Sequence, residues 1–162
     1  GGWGFVPVPL FFLEFTMHEY KSKVVKLVDG DTIDLDIDLG FDIILSKQRI
    51  RLFGIDTPES RTKDDEEKFF GKLASSFIEE HCPLGSYITL RTHLDKKGKF
   101  GRILGELIVP NSIDGSGTPM NLNETMIQKH LAVEYHGQSK DEIYKEHMCN
   151  RQELNKLGIK YS

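Results

Sequence analysis

The 162-residue sequence predicts a single α+β domain built around a small, mostly antiparallel sheet or barrel. Three observations carry this. Ile33, Leu35, Ile37 and Leu39 alternate with Asp34, Asp36 and Asp38, the period of a half-buried strand. Phe69, Phe70, Leu73, Phe77 and Ile78 recur at helical spacing. Strands come first with one helix among them, and further helices follow.

Taken in order, a strand around Val24-Val25 turns at Asp29-Gly30 into the alternating run, which Gly40 closes. The Asp34/Asp36/Asp38 stripe reads as the solvated face of that strand rather than as a metal site. A second strand, from about Ile43 to Ile55, carries Arg49, Arg51 and Phe53 on one face and Ile50 and Leu52 on the other. Asp56-Thr57-Pro58 stops it, because proline removes a ladder donor and restricts the residue before it. The stretch from about Asp64 to His81 is helical, with acids in its first turn, and Pro83 and Gly85 end it. Tyr87–Thr92 and Ile103–Val109 read as strands flanking the loop 94–101. Residues Asn111–Pro119 form a Gly/Ser/Pro loop. Helices follow at about Leu122–Leu131 and Lys140–Leu157, the last stopped at Gly158.

Composition narrows the function. Hydrophobic residues at 38% and charged residues at 28% make a soluble globular composition, neither disordered nor membrane-spanning. A net charge of −4 argues against a passive nucleic-acid binder, which would carry a basic surface. An enzyme acting on nucleic acid is compatible with it, because acids that hold a cation lower the formal charge while the bound ion restores it locally. Cys82 and Cys149 are too few for a disulfide scaffold and read as free thiols. Six histidines are present, but none forms a close pair suited to zinc.

Residues 1–16 stand apart. Gly1–Phe15 is apolar and aromatic, lacks a basic n-region and a small-residue cleavage site, and is broken by Pro7 and Pro9. It reads neither as a signal peptide nor as a membrane span. Either Met17 is the natural start and the preceding residues are a remnant, or they form an arm lying on the domain or on a neighbouring copy. The domain proper is then 17–162. The chain is expected to be a monomer that uses no membrane, and secreted and intracellular locations both stay open.

The chemistry concentrates in a few charged residues. Asp31 opens one predicted strand and Asp56 closes the next; in an antiparallel hairpin these two ends meet at one rim. Two carboxylates forced together call for a hard, oxygen-seeking cation between them. Glu59, on a proline-stiffened turn, overhangs the same place. Arg51 lies on the strand that ends at Asp56, and Arg102 follows the glycine-bounded loop 98–101. Guanidinium groups grip phosphate oxygens as planar forks. A cation, arginines and a base are what phosphodiester hydrolysis needs. Each residue alone has a structural reading: Asp-Gly-Asp as a turn, Asp56–Glu59 as a capped helix start, an arginine as surface. Their order and spacing favour the chemical one.

The segments Val28-Asp29-Gly30-Asp31-Thr32, Arg51–Glu59 (RLFGIDTPE) and Lys99-Phe100-Gly101-Arg102 resemble the staphylococcal nuclease (thermonuclease) family. Asn123-Glu124, Leu131-Ala132 and Tyr135 look like its second helix and the tyrosine-bearing segment after it. The resemblance covers about Lys21 to Gly158. It implies a five-stranded OB-fold barrel with three helices and calcium-dependent cleavage of DNA and RNA, leaving 3′-phosphates. On that resemblance Asp31 and Asp56 would ligate Ca²⁺ through carboxylates and Thr57 through its backbone carbonyl. Arg51 and Arg102 would hold the scissile phosphate, and Glu59 would act as general base or water-orienter. Asp29 would support the metal ligands, while Lys99, Phe100 and Tyr135 would border the nucleotide.

Two departures stand out. Phe100 replaces a tyrosine common in the family, which keeps stacking but loses a hydroxyl. The loop after Glu59 is acidic (Asp64, Asp65, Glu66, Glu67) and would repel polyanion. A second reading is a catalytically weak or inactive OB-fold module that binds single-stranded nucleic acid or protein. Such a module would be expected to lack some of the acids or arginines, all of which are present here.

Overall fold

The computed structural model describes residues 18–93 and 102–162. The hairpin read from the alternating run forms as β1 (Glu19–Asp29) and β2 (Thr32–Asp38), joined by a tight turn at Gly30-Asp31. Ile33, Leu35 and Ile37 are 1%, 0% and 2% exposed, so the period-2 pattern did decide which face turns inward. β2 pairs antiparallel with β3 (Ile44–Leu52), and β1 pairs antiparallel with β5 (Tyr87–His93). β5 continues antiparallel to β6 (Ile103–Pro110). A parallel ladder between β3 and β6, Ile50 against Ile103 through Leu52 against Gly105, closes the sheet into a five-stranded barrel. With the three helices of the described residues, this is the α+β, OB-fold-like arrangement that the resemblance implied.

The first helix, α1 (Asp65–His81), starts where Asp64 accepts hydrogen bonds from the Glu66 and Glu67 amides. It joins the barrel core through Ala74 and Ile78, with Phe70 and Gly71 also buried. α2 (Leu122–Gln128) and α3 (Lys140–Lys156) complete the set. Ser139 and Glu142 form a capping box at the start of α3. The barrel interior joins Val24, Leu35, Ile50, Leu52, Leu90 and Leu107 in one apolar core. Among the described residues no helix is long and apolar enough to cross a membrane. Cys82 is buried and Cys149 exposed, both free, and burial pushes the Cys82 thiol up to about 12.

The structure corrects several expectations. The strand expected over 43–55 ends at Leu52, because the chain turns at Gly54 with φ of 76° and resumes as the short β4 (Ile55–Asp56). The helix expected to run to Leu131 ends at Gln128. Two short strands were not anticipated: β7 (Pro119–Asn121) on the edge of β6, and β8 (Val133–Glu134) against β4. The helix expected from about Asp64 with acids in its first turn forms as α1, so Asp64–Glu67 belong to its cap and first turn rather than to the loop after Glu59. Asp34, on the outer face of β2, is covered rather than solvated. It is 9% exposed, with Oδ1 2.9 Å from Arg49 Nε. Residues 1–16, Lys99 and Phe100 lie outside the described residues.

Asn123 locks the break between β3 and β4. Buried on α2, it donates through Nδ2 to the carbonyls of Phe53 (2.9 Å) and Gly105 (3.1 Å), and accepts from the Leu107 amide at 3.2 Å. Asn123→Leu strands those backbone groups in the core and should destabilise the fold by about 2–4 kcal/mol in urea unfolding. A change under about 0.5 kcal/mol would show that these bonds add nothing net.

Candidate active site

The hairpin brings the predicted acids and arginine together at one rim of the barrel. Thr32, the first residue of β2, pairs with Arg51 near the end of β3, and the Leu52 amide donates to the Asp31 carbonyl at 2.8 Å. The Arg51 guanidinium then lies between the two carboxylates. Its Nη1 is 3.3 Å from Asp31 Oδ2 and its Nη2 is 3.6 Å from Asp56 Oδ1. Nη1 also donates to the Leu52 carbonyl at 3.2 Å.

Asp31 is more enclosed than Asp56, their side chains being 17% and 29% exposed. Burial pushes its carboxyl above the usual carboxylate range, and the negative charges of Asp56 and Asp29 add to the rise. The Arg51 guanidinium and the Thr32 hydroxyl, which donates to Oδ1 at 3.0 Å, pull it back without cancelling the effect of burial.

The segment after β4 wraps around this rim. Thr57 is buried, and its Oγ1 has no hydrogen-bond partner among the described residues. A Cβ on Gly30 would stand 2.9 Å from that Oγ1, so the Asp29–Asp31 turn presses directly on Thr57. Glu59 is exposed, but its backbone is held on two sides. Asp29 Oδ1 accepts from the Gly30 amide at 2.8 Å and from the Ser60 hydroxyl at 2.7 Å. On the other side the chain rests on α1 at Gly71, where a Cβ would come 2.5 Å from the carbonyl carbon and oxygen of Glu59.

Arg102 is exposed and stands one residue ahead of the β6 segment that runs beside Ile50–Leu52. Tyr135, 45% exposed, sits just past β8 with its amide donating to the Gly54 carbonyl at 2.8 Å. Together with Phe53, Ile127, Glu124, Glu134 and His136 it lines a pocket of about 220 Å³.

One contact had no sequence signal. His147 on α3 places Nε2 2.8 Å from Asp56 Oδ2. It is separated from Asp56 by most of the chain and stands in a charged stretch of helix, so neither spacing nor periodicity marks it. Among the described residues no cluster of three or more histidines, cysteines or acids forms a metal site by itself.

What this rim can do chemically follows from its parts. It offers hard carboxylate oxygens, a guanidinium fork wedged between them, and a further carboxylate on a clamped loop.

The family model of staphylococcal nuclease homologues matches residues 49–157. Among curated proteins the chain is 32% identical over 109 residues to endonuclease YhcR of Bacillus subtilis, covering 64% of this chain and 8% of that one. It is 38% identical over 85 residues to the thermonuclease of Staphylococcus intermedius, covering 52% of this chain and 46% of the relative. It is 29% identical over 124 residues to the micrococcal nuclease of Shigella flexneri, covering 72% and 59%. The chain thus spans about half or less of the length of the first two relatives and under two thirds of the third. With the closed barrel, the three helices and a family match from β3 to the end of α3, the chain belongs to the family of staphylococcal nuclease homologues.

Proposed function

We propose that the protein is a calcium-dependent phosphodiesterase, an endonuclease that hydrolyses DNA and RNA with little sequence specificity. The observation that carries this reading is the Arg51 guanidinium held between the Asp31 and Asp56 carboxylates at 3.3 and 3.6 Å. A fork shared by two acids at a barrel rim suits a site that balances a cation against a phosphate. The relatives' names, thermonuclease and micrococcal nuclease, support the same class.

The donor set fits a hard cation. Asp31 and Asp56 would hold it through their carboxylates and Thr57 through its backbone carbonyl. When bound, calcium supplies positive charge against the charge that develops on the phosphate. Arg51 and Arg102 grip the non-bridging phosphate oxygens and fix the phosphorus for in-line attack. Glu59 accepts the proton of the attacking water, and the P–O bond to the leaving oxygen breaks as the new one forms. Arg102 donates toward the leaving oxygen. Tyr135, at the pocket edge, borders the nucleotide, as do Lys99 and Phe100.

Single-stranded DNA incubated with the protein should be cut in calcium and spared once a chelator is added. Cutting that survives the chelator would remove calcium from the reading. No cutting in either case would leave a binding module. Calcium should also raise the unfolding temperature, and Asp31→Asn should abolish that rise.

The sign without calcium is set by burial. A carboxyl raised in the fold contributes stability below its unfolded value of about 3.9, and that contribution is lost as pH rises through the folded value. At neutral pH the ionised Asp31 therefore costs stability. Without calcium, Asp31→Asn should unfold at or above the temperature of the unsubstituted protein, checked by calorimetry.

A further inference from the structure

His147 touches the rim from α3, outside the segments selected by sequence. Its side chain is 11% exposed and its Nε2 lies 2.8 Å from Asp56 Oδ2. Asp56 Oδ1 is the oxygen that faces Arg51. The two oxygens of one carboxylate are thus divided, one toward the rim and one toward α3.

The rest of the histidine is as informative. Its Nδ1 is buried without a hydrogen-bond partner among the described residues, and so is Nε of Arg151. These two residues stand one helical turn apart on the same face of α3. Both line a cavity of about 10 Å³ with Phe70 and Leu154, room for a single water. Arg151 is itself 8% exposed, with its guanidinium 5.3 Å over the Phe70 ring and Nη1 3.8 Å from Glu66 Oε1.

We propose that His147 is a positioning residue for Asp56, and that Arg151 sets its tautomer through one water in this cavity. An ionised carboxylate only accepts, so the imidazole must present Nε2–H to Oδ2. Nδ1 is then an acceptor, and its donor is a water that in turn accepts from Arg151 Nε–H. The chain Arg151–water–His147–Asp56 satisfies both orphaned nitrogens at once. It also stops the carboxylate from rotating, so Oδ1 stays aimed at the rim. The inference rests on the calcium reading above, because what Asp56 is held for is the cation. Outer partners of metal-binding groups typically change affinity about 10–100-fold when removed.

The test compares His147→Gln, whose amide can donate near the position of Nε2, with His147→Asn, whose shorter side chain cannot reach. Chelator-stripped proteins are titrated with calcium chloride by calorimetry. Ring nitrogens of the unsubstituted protein are read by ¹⁵N NMR. We expect His147→Asn to bind calcium about 10–100-fold more weakly, and His147→Gln to recover most of that loss. The ring should show the Nε2–H tautomer.

Equal weakening in both variants would reduce His147 to a packing role, and unchanged affinity in His147→Asn would remove it altogether. Should either variant fail to fold, the tautomer decides: a proton on Nδ1 overturns the proposal. Absence of calcium binding by the unsubstituted protein sinks the calcium reading and this inference with it. That failure is recognisable because it precedes any substitution.

Discussion

Arg51→Ala is expected to lower kcat/KM on single-stranded DNA about 10²–10³-fold or more, the usual cost of losing one preorganised charged donor. The loss has two origins. The fork proposed to grip the phosphate disappears, and the Asp31 and Asp56 carboxylates lose the guanidinium that lies between them. The second effect acts on the fold as well as on the reaction. Without calcium the variant should be less stable than the unsubstituted protein, and added calcium should narrow the gap by supplying the missing charge. Arg51→Lys separates the two effects. It keeps a charge near the acids but has no planar fork, so it should regain stability while recovering little turnover. Kinetics and thermal unfolding, each with and without calcium, check both halves. An Arg51→Ala protein that cuts at the unsubstituted rate would show the residue to be a structural ion pair.

Glu59→Gln should lower kcat about 10²–10⁴-fold, the contribution of a placed base. Its unfolding midpoint should not move, because the side chain is exposed. Gly71→Ala offers an independent route to the same loss. An alanine in a helix interior ordinarily stabilises by about 0.5–1 kcal/mol over glycine. Here the new methyl would meet the Glu59 carbonyl at 2.5 Å, a clash with backbone that no rotamer relieves. The loop must shift, and the carboxylate moves with it although its chemistry is intact. Gly71→Ala should therefore lose turnover without gaining the usual stability. Full activity in Glu59→Gln would instead put the proton on another group.

The rim was legible in the sequence because it depends on local rules. The alternation through Ile33, Leu35 and Ile37 settles which way β2 faces, and a tight turn at Gly30 makes the antiparallel partner predictable. Once β2 and β3 pair, Asp31 and Arg51 must be neighbours. The aspartate stripe misled because alternation shows only two faces. It does not show that Arg49 covers Asp34 on the outer one. β4 and β8 span two residues each, too short for any period to show. The inward face of α3 was hidden for a different reason. It includes His147, Asn150, Arg151 and Leu154, three of them polar, so no apolar stripe announces which side packs.

The barrel is shut by its shortest ladder. Among the described residues the β3–β6 ladder runs from Ile50–Ile103 to Leu52–Gly105, with the Phe53 amide donating to the Gly105 carbonyl at 2.8 Å, while the other walls are longer antiparallel ladders. Arg51 stands within this seam and Arg102 one residue ahead of it. A partial opening there would part the two arginines while most of the core stayed folded, since opening free energies range from near zero up to the global value. Catalytic competence and foldedness then become separate quantities in this molecule. On the proposed function, an opening of the seam would cost activity before the barrel as a whole melts.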